Sequence, residues 1–160
     1  MSILDILFPD RRRKEDMKLR GEVTFRHIRN GEIIDERTYK NVIVNTGKAQ
    51  VAGLINGATT GPFQYIAIGT GTTSESASDT SLVNETHRGQ DTSPSRETTN
   101  VSNDTAVLDY TFDFTSSYAI TESGVFNASS GGTMLCRKTF SAINVANGDS
   151  LQVTWKITVS

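Results

Sequence analysis

The sequence predicts an all-β chain: an antiparallel β-sandwich of about seven or eight strands, with one short helix and an extended N-terminal arm. Three observations carry that prediction. The last ten residues alternate without a break, with Leu151, Val153, Trp155, Ile157 and Val159 on one face and Gln152, Thr154, Lys156 and Thr158 on the other. That alternation is the period of a half-buried antiparallel strand. Ser, Thr and Gly are abundant while Pro is scarce, a composition that suits many turns. Short apolar runs are separated by tight-turn residues: Asn30-Gly31, Ser129-Ser130-Gly131-Gly132 and Asn147-Gly148-Asp149. Such turns return a chain directly and favour a sandwich over a parallel sheet with crossover helices.

The 160 residues divide into an arm, 1–20, and a single domain, 21–160, long enough to bury a substantial core. In the arm, Ile3, Leu4, Ile6, Leu7 and Phe8 form an apolar patch closed by Pro9-Asp10, and Arg11, Arg12, Arg13 and Lys14 follow. The patch is too short for a stable isolated helix. It reads either as a solvated terminus or as an arm whose apolar end docks in a neighbour's groove while its arginines meet an acidic surface or DNA. Asp10, Glu15 and Asp16 dilute the charge and no aromatic residues are interleaved for base stacking, so the expected contact is a protein and not nucleic acid. The expected binding residues are therefore Ile3, Leu4, Ile6, Leu7, Phe8, Arg11, Arg12 and Arg13.

Within the domain, a hairpin is expected from strands Gly21–Ile28 and Glu32–Asn45 around Asn30-Gly31, since a type I′ turn needs positive φ at both centres. A short helix follows. Asn45 or Thr46 can cap it, Val51, Leu54 and Ile55 are spaced for one apolar face, and Asn56-Gly57 would end it. Phe63–Ile68 reads as a buried strand. Gly69–Asp104 reads as a long polar loop, in which Leu82 and Val83 can anchor a turn of helix. Arg88–Thr99 could instead be a polar strand or hairpin arm that orders only against a partner. Val107–Phe114 is a strand with Leu108, Tyr110, Phe112 and Phe114 inward. Tyr118–Asn127 and Thr133–Phe140 follow, then the terminal strand.

The residue inventory argues against catalysis and cofactors. Gly69-Thr70-Gly71-Thr72 lacks the Lys-Ser/Thr ending of a phosphate loop, and turn conformation explains its glycines. His27 and His87 are the only histidines, and neither has close metal-ligand company in the sequence. No G-x-S-x-G elbow supports a serine nucleophile. Glu122 lacks a second acid for glycoside hydrolysis. As a carboxylate on a core strand it must be satisfied, either by backbone amides of a turn or by Arg137 or Lys138 across the hairpin. Cys136, the single cysteine, reads as a buried thiol among Met134, Leu135 and Phe140. The net charge of −2 provides no field for nucleic acid, and no apolar run reaches 18 residues, so no membrane contact is expected. The N-terminus has the wrong order for a secretory signal, its apolar patch preceding its basic one.

Three phrases in order carry a resemblance. They are Tyr65-Ile66-Ala67-Ile68-Gly69-Thr70-Gly71-Thr72-Thr73 with Ala77–Glu85, Ile120-Thr121-Glu122-Ser123-Gly124-Val125-Phe126, and Asn147-Gly148-Asp149-Ser150-Leu151-Gln152-Val153-Thr154-Trp155. Together they resemble phrases of tailed-bacteriophage virion proteins: tail-collar fibre attachment domains and small head or tail accessory proteins. The likeness covers roughly residues 41–160. It implies a non-enzymatic virion structural protein, assembled in the bacterial host cytoplasm. A chain of this size with an arm suits a capsid decoration or cement protein. Its partners would be the major capsid protein or other virion proteins, and it would form a homo-oligomer, a trimer among the options. A tail, baseplate or fibre-adaptor component is the alternative. A host-surface carbohydrate-binding module is a second, with few aromatics outside the expected strands to serve it: Phe8, Phe63 and Tyr118.

Overall fold

Two five-stranded antiparallel sheets and one helix make up the computed structural model, which describes residues 16–160. In chain order the elements are β1 (Leu19–Arg29), β2 (Glu32–Lys40), β3 (Val42–Ile43), α1 (Asn45–Asn56), β4 (Tyr65–Gly69), β5 (Glu85–Gln90), β6 (Ser95–Glu97), β7 (Thr105–Asp113), β8 (Tyr118–Phe126), β9 (Met134–Val145) and β10 (Ser150–Val159). Sheet A has the order β2-β1-β10-β7-β6, and sheet B the order β3-β9-β8-β4-β5. This is the expected sandwich, with ten strands because two very short edge strands and β5 join the set. Within the expected arm, residues 18–20 belong to the sheet. The amide and carbonyl of Lys18 pair with Ser160, and β1 starts at Leu19.

The patterns that predict the strands also build the core. Leu151, Val153, Trp155 and Ile157 of β10 are buried, and Val23 and Phe25 of β1 and Leu108 and Phe112 of β7 lie with them. Sheet B contributes Ile66, Ile68, Ile120, Val125, Ile143 and Val145. Fully burying each large apolar side chain contributes roughly 1.5–3 kcal/mol. Asn30 and Gly31 have φ of 52° and 76°, the positive values that the β1–β2 turn requires. Cys136 is wholly buried, and burial pushes its thiol far above the usual range.

Four expectations are corrected. Glu32–Asn45 is not one strand. It breaks at Asn41, where the chain leaves sheet A and enters sheet B as β3. Of the expected apolar face, Val51 packs half-buried against the main core, but Leu54 and Ile55 are 37% and 72% exposed; the fully buried helix residues are Gly47, Gln50 and Gly53. A Cβ on Gly47 would lie 2.6 Å from the Leu135 carbonyl oxygen, so the missing side chain lets α1 rest on the β9 backbone. Val44, which makes no side-chain cap, occupies the N-cap, while Gly57 ends the helix in the left-handed conformation as expected.

The third correction concerns Gly69–Asp104, which is not a loop throughout. β5 pairs with β4, and β6 pairs with β7. The segment has few apolar residues because others supply them. The His87 ring sits edge-on to Phe114 and Tyr118 at centroid distances of 5.1 and 4.9 Å, and Gly89 lies under the Tyr110 ring. Fourth, the glycines Gly69 and Gly71 are not there for left-handed turn geometry. A Cβ on either would come within 2.7 or 2.5 Å of Glu122 Oε1. They are places where backbone must approach a carboxylate closely.

Candidate functional site

The most elaborate polar construction lies on the outer face of sheet B. The β8–β9 register sets Glu122 opposite Thr139 and Gly124 opposite Arg137, so the Glu122 and Arg137 side chains are diagonal neighbours on one face. Residues 70–84 cross that face as a strap. Leu82 of the strap packs over Gly124 and joins Val44, Ala67, Phe126 and Met134 in a second apolar cluster, separate from the main core. The missing side chain at Gly124 makes room for the Leu82 methyl group.

Beside that cluster, Glu122 Oε1 accepts from the amides of Gly71 at 2.9 Å and Asn84 at 2.7 Å, and Oε2 accepts from Val83 at 3.0 Å. Arg137 donates to Oε2 through Nη2 at 2.9 Å and Nε at 3.2 Å. Its remaining hydrogens reach Asp79 Oδ2 at 2.9 Å and the Thr73 carbonyl at 2.8 Å. Both expected partnerships of Glu122 are therefore realised together, by strap amides and by Arg137. Lys138 goes elsewhere, to Glu75 Oε1 at 2.6 Å. Glu75 also accepts from the amide and hydroxyl of Thr139 and so covers an exposed stretch of the β9 edge.

The charges follow from this geometry. Burial opposes ionisation of Glu122, but the Asn84 and Val83 amides and the Arg137 guanidinium outweigh it and hold the carboxyl below its usual range. Burial likewise opposes Glu75, yet Lys138 and Thr139 bring it down to about 2. A carboxylate held ionised, with both oxygens occupied by the protein, is suited to clamping a loop and poorly suited to moving a proton.

A second buried polar group lies at the other end of β10. His27 Nε2 is 2.8 Å from Asp149 Oδ2, and Arg29 donates to both oxygens of Asp149 at 2.8 and 2.9 Å. Arg29, then His27, holds the Asp149 carboxyl well below the usual range. His27 thus serves the β9–β10 turn. Burial against aromatic rings lowers the His87 imidazole below its ordinary range. Among the described residues, no three His, Cys, Asp or Glu side chains group as a metal site would need.

A cleft of about 740 Å³ opens at the end of the sandwich where residues 16–18 enter β1. Apolar Leu19 and Ile43 line it together with charged Arg20, Glu22, Lys40 and Lys48. Exposed apolar side chains share this end. Met17 precedes the Lys18–Ser160 pairing, Val159 bonds to the Asp104 carbonyl, and Val101 lies in the turn that Asp104 organises. The predicted binding residues Ile3, Leu4, Ile6, Leu7, Phe8, Arg11, Arg12 and Arg13 lie outside the described residues.

The three sequence phrases, at residues 65–85, 120–126 and 147–155, meet in space. Ser123 Oγ donates to the Ala67 carbonyl at 2.8 Å and accepts from Trp155 Nε1 at 3.2 Å, which joins all three. One residue away, Glu122 binds Gly71 and Asn84 of the other phrase. Sequence reasoning found Glu122 and Arg137 but missed the strap, whose only local signal is the pair of glycines that clear space for the carboxylate. Comparison with protein-family models, with curated proteins and with solved structures finds no match for this chain.

Proposed function

We propose that the protein is a non-enzymatic structural component of a tailed-phage particle, a capsid decoration or cement protein that binds the head lattice. The observation that supports this reading is the convergence of the three phrases on Ser123 and Glu122. Their shared residues hold two sheets and a strap together, which is the work of a scaffold. The resemblance is then to a framework that virion proteins use, with partner contacts made outside it. The cleft and the apolar residues Met17, Val101 and Val159 mark the end at which the described residues begin, and we assign the lattice contact to that end. The expected binding residues of the arm, Ile3 to Phe8 and Arg11 to Arg13, would act from there. Many copies, each with modest contacts, would stabilise a particle through avidity.

Co-sedimentation of the purified protein with separated phage heads and tails tests this. The expected result is saturable binding to heads at high copy number, lost when residues 1–16 are deleted. Binding to tails alone at a few copies would replace the reading with a baseplate or fibre adaptor. Binding to neither, with retention on host cells, would replace it with receptor recognition.

A further inference from the structure

We infer that β2 is a two-fold docking edge for a second copy of this chain, pairing antiparallel with itself about Thr38. The proposal does not depend on the virion reading.

The four sheet edges differ. β3 and β6 have two and three residues, and β5 has six. β2 has nine, and among the described residues only β1 pairs with it. A long open edge is a template for another strand, which monomers ordinarily blunt. β2 also exposes Ile33 and Ile34, at 55% and 49%.

The direction of its hydrogen bonds follows from the register. The Asn41 amide donates to the Gly21 carbonyl, and Glu22 pairs with Lys40, so the odd-numbered residues 35–41 exchange bonds with β1. The amides and carbonyls of Glu36, Thr38 and Lys40 therefore point to the open edge. Their side chains share the outer face of sheet A, where Glu36 meets Arg26 and Thr38 meets Thr24.

A two-fold axis through Thr38 is the register that sets opposite charges against each other without opposing like ones. It sets Glu36 opposite Lys40 of the second copy, twice by symmetry. Arg37 falls opposite Tyr39 of the second copy on the other face, a guanidinium against an aromatic ring. Thr38 meets itself and extends the Thr24–Thr38 hydroxyl pair, whose oxygens are 2.9 Å apart. No like charges are opposed. Centring the pair on Arg37 would oppose two guanidiniums, and centring it on Glu36 would oppose two carboxylates. The bulge at Ile34, visible as the register shift between His27 and Ile28, ends the regular edge at Asp35. Pairing is thus confined to residues 35–41 and closes as a dimer, joining two copies of sheet A into one continuous sheet.

The test uses charge reversal and mixing, with the full chain, read by light scattering on a sizing column. The wild type is expected to dimerise reversibly with concentration. Glu36→Lys opposes lysine to lysine and Lys40→Glu opposes glutamate to glutamate, so each variant alone is expected to lose dimer affinity on the order of tenfold or more. An equimolar mixture restores both opposite-charge pairs and is expected to form a heterodimer. Thr38→Pro removes an outward amide that β1 does not use and is expected to leave a folded monomer by circular dichroism. A wild type that stays monomeric at all concentrations overturns the proposal. A dimer that survives Thr38→Pro, or variants that fail to recover on mixing, overturns it as well and moves the interface elsewhere.

Discussion

Both sheets carry opposite charges on their outer faces, but only sheet B buries them. On sheet A, Arg26–Glu36 and Lys156–Glu97 pair at 2.9 and 2.8 Å with every side chain at least 32% exposed. On sheet B, Arg137 and Glu122 pair at 2.9 Å with side chains 1% and 0% exposed. The bond lengths are the same and the consequences differ. An exposed pair competes with water at each end and contributes little. A buried pair has lost its water, so each member depends on the other and on the strap amides. The strap turns what would be surface decoration into part of the framework, and the comparison predicts where the molecule breaks.

The largest effect is expected at Glu122. Replacing it with Ala leaves the Arg137 guanidinium buried with only Asp79 and Thr73 for company, and leaves the amides of Gly71, Val83 and Asn84 without their acceptor. Removing one member of a buried ion pair typically destabilises by about 3–5 kcal/mol. Denaturant unfolding is expected to show a loss of that order, and limited proteolysis to show cleavage within residues 70–84 before global unfolding. A variant with wild-type stability and an intact strap would mean that Leu82 and its apolar cluster hold the strap unaided.

Acid is expected to act on the same region by a smaller, graded route. Glu122 and Glu75 both titrate below their usual range in the folded state, Glu75 near 2 against an ordinary 4.5. A depressed carboxylate binds its proton more readily when unfolded. The stability it contributes is therefore present above its ordinary value and is lost as pH falls through the folded one. The strap should loosen as Glu75 protonates between pH 4.5 and 2 and as Glu122 protonates below its ordinary range. Hydrogen exchange is the discriminating measurement. The Gly71, Val83 and Asn84 amides are expected to lose protection while those at the centre of β10 keep it. Glu75→Gln should flatten the dependence at the strap. Simultaneous loss at both places would show that the strap has no separate transition.

How far the sequence reveals this difference depends on whether the needed signal is local. The β10 alternation and Asn30-Gly31 are local, and both appear in the structure as read. Glu122 was legible because a carboxylate on a core strand must find partners, and Arg137 lies across a short hairpin. The strap was not legible. Its order comes from Glu122, nearly forty residues beyond Asn84, and from Leu82 over Gly124. β5 is hidden for the same reason, since its apolar neighbours Phe114 and Tyr118 lie on later segments. The helix misleads in another way. Periodicity scores large apolar residues, whereas α1 docks through glycine, where absence of a side chain is the contact.

The smallest effect is expected at Lys156. On β10 its ammonium meets Glu97 of β6 at 2.8 Å, with side chains 39% and 41% exposed. Its cross-strand neighbours are Glu22 and Val107. Lys156→Ala removes a partner that water replaces on both sides. The change in unfolding free energy should stay within about 0.5 kcal/mol, and a double-mutant cycle with Glu97→Ala should give a coupling of similar size or less. Raising salt should shrink that coupling further, because the pair is open to counter-ions, and should leave the Glu122 deficit nearly unchanged. A coupling above about 1 kcal/mol would place this pair among the buried ones. It would also mean that β6, the three-residue edge strand it tethers, depends on the ion pair more than on its backbone bonds to β7.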